Sequence, residues 1–340
     1  MIIENNILKA LTASFNRSPS QRNMLLESDA EIIRLRDGTC LAITVDSIVE
    51  EIASGLYTDP YLIGWMTVMA SISDLTAVGA KPIGILLIEN IPSEYPADKL
   101  QLIQKGIHDA CCEYGTFVLG GDTNSSNELQ MGATAIGIIE DENFISRLGC
   151  QENDLLMISN PMGLGMGFAL TQLFYKQFNI PYLPTPKLIY GQLIRKYATS
   201  CIDTSDGFIP AICNLIELNN LGFVISKEFT DFIDKRVIEI AQKAEIPHWF
   251  FLAGPHGEFE LVFTIPPSNL KEFLEEAIKT DWTPIVIGTV IKKPELQCAI
   301  NGKNIMLDGF TISNLFGQSR GDPKTYMDAL NKMNQSWELQ

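Results

Sequence analysis

The run from Asp59 to Gly79 constrains this chain most. Asp59 and Pro60 pair a helix N-cap with the residue favoured at the first helical position, and the apolar stretch behind them predicts a long helix that Gly79 ends. Asp74, in Ser71-Ile72-Ser73-Asp74-Leu75, lies inside it. A lone carboxylate is costly to desolvate, and few cations lie nearby in sequence. Any fold the chain adopts must therefore bring Asp74 a partner from a distant segment.

Strand-like and helix-like segments alternate on either side of that helix, which marks an α/β or α+β protein. Thr39–Val45, Ile83–Ile91, Phe117–Gly121 and Met131–Ile139 read as strands, with a helix opened by Pro96 and closed by Gly115. The acidic patch Glu140, Asp141, Glu142 and the polar stretch Arg147–Asp154 suggest a boundary near residue 145. Beyond it, strands are expected at 154–159, 222–226, 258–264 and 284–290. Helices are expected from about Met162 and Lys187 and near 208–219, 231–243 and 267–279. With 340 residues, more than one core usually serves, the expected division is 1–145, 146–318 and a polar, loosely attached tail at 319–340.

A formal charge of −16 disfavours nucleic acid or an anionic membrane as the main partner. It leaves room for a polyphosphate held through metal ions. The seven cysteines show no metal-ligand spacing, and three histidines are too few for a His-rich metal site, so reduced thiols in a cytosol are expected. The opening MIIENNILKALTASF lacks a secretion signal, and no apolar run is long enough to cross a bilayer. A soluble, cytoplasmic protein is the expectation.

Several other acids stand beside apolar or small residues. Asp46 ends the run Ala42-Ile43-Thr44-Val45, Asp29 follows Leu26-Glu27-Ser28, Asp122 follows Leu119-Gly120-Gly121, and Asp203 and Asp206 share Ile202-Asp203-Thr204-Ser205-Asp206-Gly207. Taken singly, Asp122 and Asp206 read as turn residues and Asp203 as a helix cap. Taken together, acids from separate segments are what a magnesium-nucleotide site requires, because magnesium takes a few carboxylates along with substrate phosphates. No G-x-x-x-x-G-K-[ST] is present, and Gly163-Leu164-Gly165-Met166-Gly167 falls one residue short of the dinucleotide fingerprint. Close packing is the reading favoured for that loop.

In order along residues 26–310, these motifs, with Ala77-Val78-Gly79-Ala80-Lys81-Pro82 and Glu260-Leu261-Val262-Phe263-Thr264, resemble the thiamine-monophosphate kinases. Those belong to the superfamily of aminoimidazole ribonucleotide synthetase (PurM-like). The resemblance implies an α+β chain of two PurM-like domains, each a mixed or antiparallel sheet packed with helices, that dimerises through its amino-terminal sheets. It implies ATP and magnesium between the domains, and a small-molecule acceptor. By position, Asp29, Thr44, Asp46, Asp74, Asp122, Asp203 and Asp206 are its metal ligands. Gly121, Asp122, Arg147 and Ser205 are its nucleotide-binding residues, with Asp74 and Asp122 central to catalysis.

The departures from that family fall on one metal acid and, for the most part, on the acceptor. Ser28 replaces one acid of a Gly-Asp-Asp, Ala53-Ser54 stands for a substrate-site His-Phe, Gly257 for a glutamate that meets thiamine, and Leu183 for the arginine of an Arg-Pro-x-Pro. An ATP-dependent phosphotransferase with an altered acceptor is therefore expected, with His256 and Glu258 as candidates for reading it. Two alternatives stay open: an ATP-dependent synthetase or ligase, and an ATP-binding protein without catalysis.

Overall fold

The computed structural model describes residues 2–140, 143–300 and 302–338, so Asp141 and Glu142 of the acidic patch lie outside the described residues. Helix α1 (Ile3–Thr12) comes first. The first sheet is then built by β1 (Glu31–Arg34), β2 (Cys40–Ser47), β3 (Lys81–Pro92), β4 (Val118–Ser126) and β5 (Gln130–Ile139). Between these strands lie α2 (Val49–Ala53), α3 (Pro60–Ala77) and α4 (Ala97–Glu113). The strand order is β1-β2-β5-β3-β4, with β3 and β4 parallel and the other neighbours antiparallel.

The second sheet draws on β6 (Leu155–Ile158), β7 (Ser200–Asp203), β8 (Gly222–Ile225), β9 (Leu261–Ile265), β10 (Ile285–Ile291), β11 (Leu296–Ile300) and β12 (Lys303–Leu307). Its helices are α5 (Leu164–Leu173), α6 (Leu188–Tyr197), α7 (Phe208–Asn219), α8 (Lys235–Ala244), α9 (Leu270–Lys279), α10 (Gly309–Gln318) and α11 (Pro323–Glu338). The order is β12-β11-β8-β10-β6-β9-β7, with β8 and β11 the parallel pair. Two mixed sheets with helices packed on them make this an α+β fold.

Helix α3 joins the two units. Asp59 caps it by accepting from the Tyr61 N–H, and Pro60 fills the first turn, as the sequence predicts. It is apolar all round because every side is covered: β2 and β5 lie beneath it and α4 beside it. At the α4 crossing a Cβ on Gly64 would sit 1.9 Å from the Ile103 carbonyl oxygen, so the two backbones touch. At its other end, a Cβ on Gly191 of α6 would sit 1.9 Å from the Thr76 carbonyl. Ala77 joins a core cluster with Leu193, Phe263 and Trp282. The last turns of α3, Asp74 among them, are thus driven against the second unit.

Both chain ends dock on the second unit. Ile2 is buried in its core, the Ile2 N–H donates to Glu217 at 2.8 Å, and Asn5 donates to Asn214 at 3.0 Å. The segment past Gln318 is no loose tail, for α11 buries Tyr326, Met327 and Leu330 in that core, and Trp249 donates to Asn334 at 2.9 Å. Lys324, Thr325, Asp328 and Lys332 are exposed on the opposite side of α11, as in an amphipathic helix. Residues 258–260, expected as strand, precede β9 and lie in a loop instead.

Leu330 is fully buried. Leu330→Ala is therefore expected to cost about 2–5 kcal/mol in denaturant unfolding, the usual range for a buried leucine. A cost near zero would return α11 to the status of a loose tail.

Candidate functional site

Register sorts the acids of the first sheet onto two faces. Asp46 pairs with Ala133, Ala133 with Leu87, and Leu87 with Gly121, one row across the sheet. Successive residues alternate faces, and this row points toward α3, where Ser71 donates to the Ala133 carbonyl at 2.9 Å. Thr44 shares that face, and its hydroxyl donates to Asp74. The next row, Ser47, Gly132, Ile88 and Asp122, points the opposite way.

The remaining acids arrive from loops. Asp29 precedes β1 with its side chain 1% exposed, and its Oδ1 accepts from Arg147 Nη2 at 2.8 Å. Asp203 ends β7, is buried, and accepts from the hydroxyls of Ser73 at 2.6 Å and Ser205 at 2.9 Å. One carboxylate oxygen from each of Asp29, Asp74 and Asp203 lies within 4.8 Å of the other two. A single cluster thus collects the start of β1, the last turns of α3 and the end of β7, spanning both units.

Electrostatics make the cluster expensive. Burial first, then Asp46, Asp203 and Asp29, hold the Asp74 carboxyl well above its ordinary range. Burial also raises Asp46, with the Asp29 charge adding to it, and pushes Asp203 up to about 6. Arg147 would be lowered by burial, but Asp29, Asp203 and Asp74 outweigh that and raise it. Asp29 Oδ2 and Asp46 Oδ2 are buried with no hydrogen-bond partner. Crowded oxygen donors with unmet lone pairs are what a hard divalent cation requires, so these residues fit magnesium.

Not every expected residue joins. Asp122 lies on the opposite face of the sheet from Asp46, and β5 and β3 intervene, so about 14 Å separates the two backbones at normal strand spacing. Gly121 is in the row of Asp46 but on the exposed edge strand. Ser205 is half-buried beside Asp203, and Asp206 is exposed on the same loop. Two residues were given no role by the sequence argument. Ser73, one turn-step from Asp74, holds Asp203 across the domain junction. Glu51 of α2 has a buried, unpartnered Oε2 and a pKa raised by burial; its signal was the pair of glutamates that follows Asp46.

His256 and Glu258 do not line an open loop, as each is 6% exposed. The His256 ring lies among Tyr57, Phe168 and Tyr182, with centroids 5.5, 6.1 and 5.2 Å away, and burial lowers its pKa to about 3. Glu258 Oε2 accepts from the N–H of Gly163 at 2.8 Å and of Gly165 at 3.4 Å. A Cβ on Gly257 would sit 1.4 Å from the Thr204 carbonyl oxygen, so this position holds only glycine. Gly165 in turn abuts Gly257, which agrees with close packing of the 163–167 loop.

A family model, AIR synthase related protein, N-terminal domain, matches residues 27–139. A thiamine-monophosphate kinase of Nitrosopumilus maritimus is 30% identical over 252 residues, covering 71% of this chain and 75% of the relative. That of Synechococcus elongatus is 28% identical over 303 residues, covering 82% and 88%. Among solved structures, AaThiL complexed with AMPPCP and TMP superposes with a TM-score of 0.73 at 20% identity, covering 88% of this chain and 93% of the other.

Carboxyls whose pKa is raised on folding favour the folded state most at low pH and lose that contribution as pH climbs toward the folded pKa. With Asp203 near 6, Glu258 near 8 and Asp74 and Asp46 also raised, the metal-free protein should melt at progressively lower temperature from about pH 4 to about pH 8. Millimolar magnesium should recover part of the loss at the upper end. A flat melting profile, or one that magnesium leaves unmoved, would contradict this assignment.

Proposed function

The chain belongs to the thiamine-monophosphate kinase family and is an ATP-dependent kinase of that type, and from that premise we propose that it phosphorylates an acceptor other than thiamine monophosphate. The observation that carries the nucleotide side is the convergence of Asp29, Asp74 and Asp203, with Arg147 bonded to Asp29. Asp29, Asp46, Asp74 and Asp203 would hold magnesium, with Asp206 on the adjoining loop and Thr44 bonded to Asp74. The ion supplies charge neutralisation along the phosphates.

Arg147 orients and steadies the polyphosphate, and Ser205 and Gly121 approach the nucleotide. Transfer is in line: the bond from the γ-phosphorus to the bridging oxygen breaks as an oxygen of the acceptor attacks, and ADP leaves without a covalent enzyme intermediate.

The acceptor side rests on what fills its corner. The family's glutamate falls on Gly257, where the Thr204 carbonyl leaves no room for a side chain. Next to it the packed Tyr57, Phe168, Tyr182 and His256 rings occupy the space between the units. Leu183, at the position of the family's arginine, is 44% exposed and carries no charge.

A homodimer is part of the proposal. Val45, Leu86 and Ile88 are exposed on the sheet face opposite α3, and Phe117, Val118 and Leu119 along its outer edge. An apolar surface of this kind commonly marks an interface. Asp122 shares that face, with the sheet between it and Asp46, so any part it takes in a site would come at the dimer interface, by reaching past a sheet edge to the acids of the second copy. The cytoplasm, where ATP is supplied and thiols stay reduced, is the proposed setting, and no helix among the described residues is long and apolar enough to cross a membrane.

Labelled ATP, magnesium and thiamine monophosphate test the acceptor: no thiamine diphosphate is expected from a preparation that binds magnesium-ATP, whereas robust transfer would refute an altered acceptor. Asp74→Asn and Asp122→Asn should each abolish magnesium-dependent turnover on the true acceptor while melting like the parent. If Asp122 acts across the dimer, mixing and re-equilibrating the two variants should restore about a quarter of parental turnover, since half the dimers are mixed and each has one intact site. No restoration would place Asp122 outside the partner's site.

A further inference from the structure

Glu258 is buried, yet nothing in the chemistry so far uses it. Its loop, residues 254–260, is pressed on the segment that carries Asp203 and Asp206. The Gly257 N–H donates to the Ser205 carbonyl at 2.9 Å, the Thr204 N–H to the Glu260 carbonyl at 2.8 Å, and the Glu260 N–H to the Thr204 hydroxyl at 3.0 Å. On its other side the loop meets the start of α5, where Glu258 Oε2 takes the Gly163 and Gly165 N–H groups. Those are the unpaired donors of a ten-residue helix, the place where proteins commonly bind phosphate.

We propose that Glu258 is a positioning residue: its carboxyl fills the α5 donor site from inside the protein and so clamps loop 254–260 onto Thr204–Gly207, fixing where Asp203 and Asp206 stand. Three consequences bind together. The Gly163 and Gly165 donors of the glycine-rich loop are closed to a substrate phosphate, because they already serve Glu258. The N–H and hydroxyl of Thr204 are held by Glu260, from the Glu258 side and not from the first unit. Glu258 acts on the metal site without touching it, through Gly257 and Glu260.

The test reads geometry and metal affinity and needs no acceptor. Amide hydrogen exchange of segments 203–207 and 254–260 and Mn2+ binding, followed by electron paramagnetic resonance, would be compared in the parent, Glu258→Ala and Glu258→Gln. Glu258→Ala should speed exchange at Thr204 and Gly257 and weaken Mn2+ binding about tenfold, the usual effect of removing a supporting partner. Glu258→Gln keeps an oxygen for Gly163 and should stay within about threefold of the parent.

Unchanged exchange and affinity in Glu258→Ala would overturn the proposal, as would equal losses in both variants. Should Glu258→Ala not fold, Glu258→Asp, which falls one methylene short of Gly163, takes its place with the same expected losses. Because neither readout involves turnover, a failure of the kinase reading leaves a distinct signature: intact Mn2+ binding in the parent with no phosphoryl transfer.

Discussion

Three carboxylates whose oxygens come within 4.8 Å of one another set the terms for the rest of this structure. Like charges at about 4 Å repel by roughly 4 kcal/mol per pair at an effective dielectric near 20. The protein offsets this with Arg147 on Asp29, and with the hydroxyls of Thr44, Ser73 and Ser205 on Asp74 and Asp203. Hydroxyls satisfy lone pairs without adding charge, so much of the repulsion persists as raised pKa values. The site is in this sense built for cargo that brings positive charge with it.

The scaffold that holds this strained cluster is correspondingly stiff. Helix α3 touches α4 and α6 backbone to backbone at Gly64 and Gly191, and it delivers Ser73 and Asp74 to a junction where neither unit alone would complete the site. A bond from Ser73 to Asp203 crosses that junction directly. Relative movement of the two units would therefore separate Asp74 from Asp203.

Helix α3 was legible from residues alone because Asp59 and Pro60 announce its start and its apolar length fixes its burial. The long strands β2, β3 and β5 were legible as apolar runs. By contrast β7 has four residues, all buried, and offers too little length for any period to show. Helix α1 misleads for another reason: it exposes Ile3, Ile7 and Leu11 and buries Asn5, the reverse of an ordinary amphipathic helix. The acids share one appearance in sequence, yet register parity divides them. Asp46 and Asp122 face opposite ways, and only knowledge of the pairing β2-β5-β3-β4 reveals it. His256 and Glu258 read as loop polar residues, since nothing in a sequence shows that Tyr57 and Tyr182, or the N–H groups of Gly163 and Gly165, will close over them.

That division bears on where this chain departs from its family's residues. The acids stand on elements whose positions are fixed by core packing: Asp46 by the β2–β5 register, Asp74 by the helix, Asp203 by β7 against β9. Residues at the acceptor positions sit at the end of the short helix α2, at 53–54, or on connections, at 183 and 257, and connections change without disturbing a core. Gly257 shows the limit of that freedom. With the Thr204 carbonyl 1.4 Å from its absent Cβ, a side chain returned there would displace the loop bearing Asp203 and Asp206. Restoring a glutamate at that position would therefore require the 203–207 segment to move first, which couples the proposed acceptor corner to the cluster of acids.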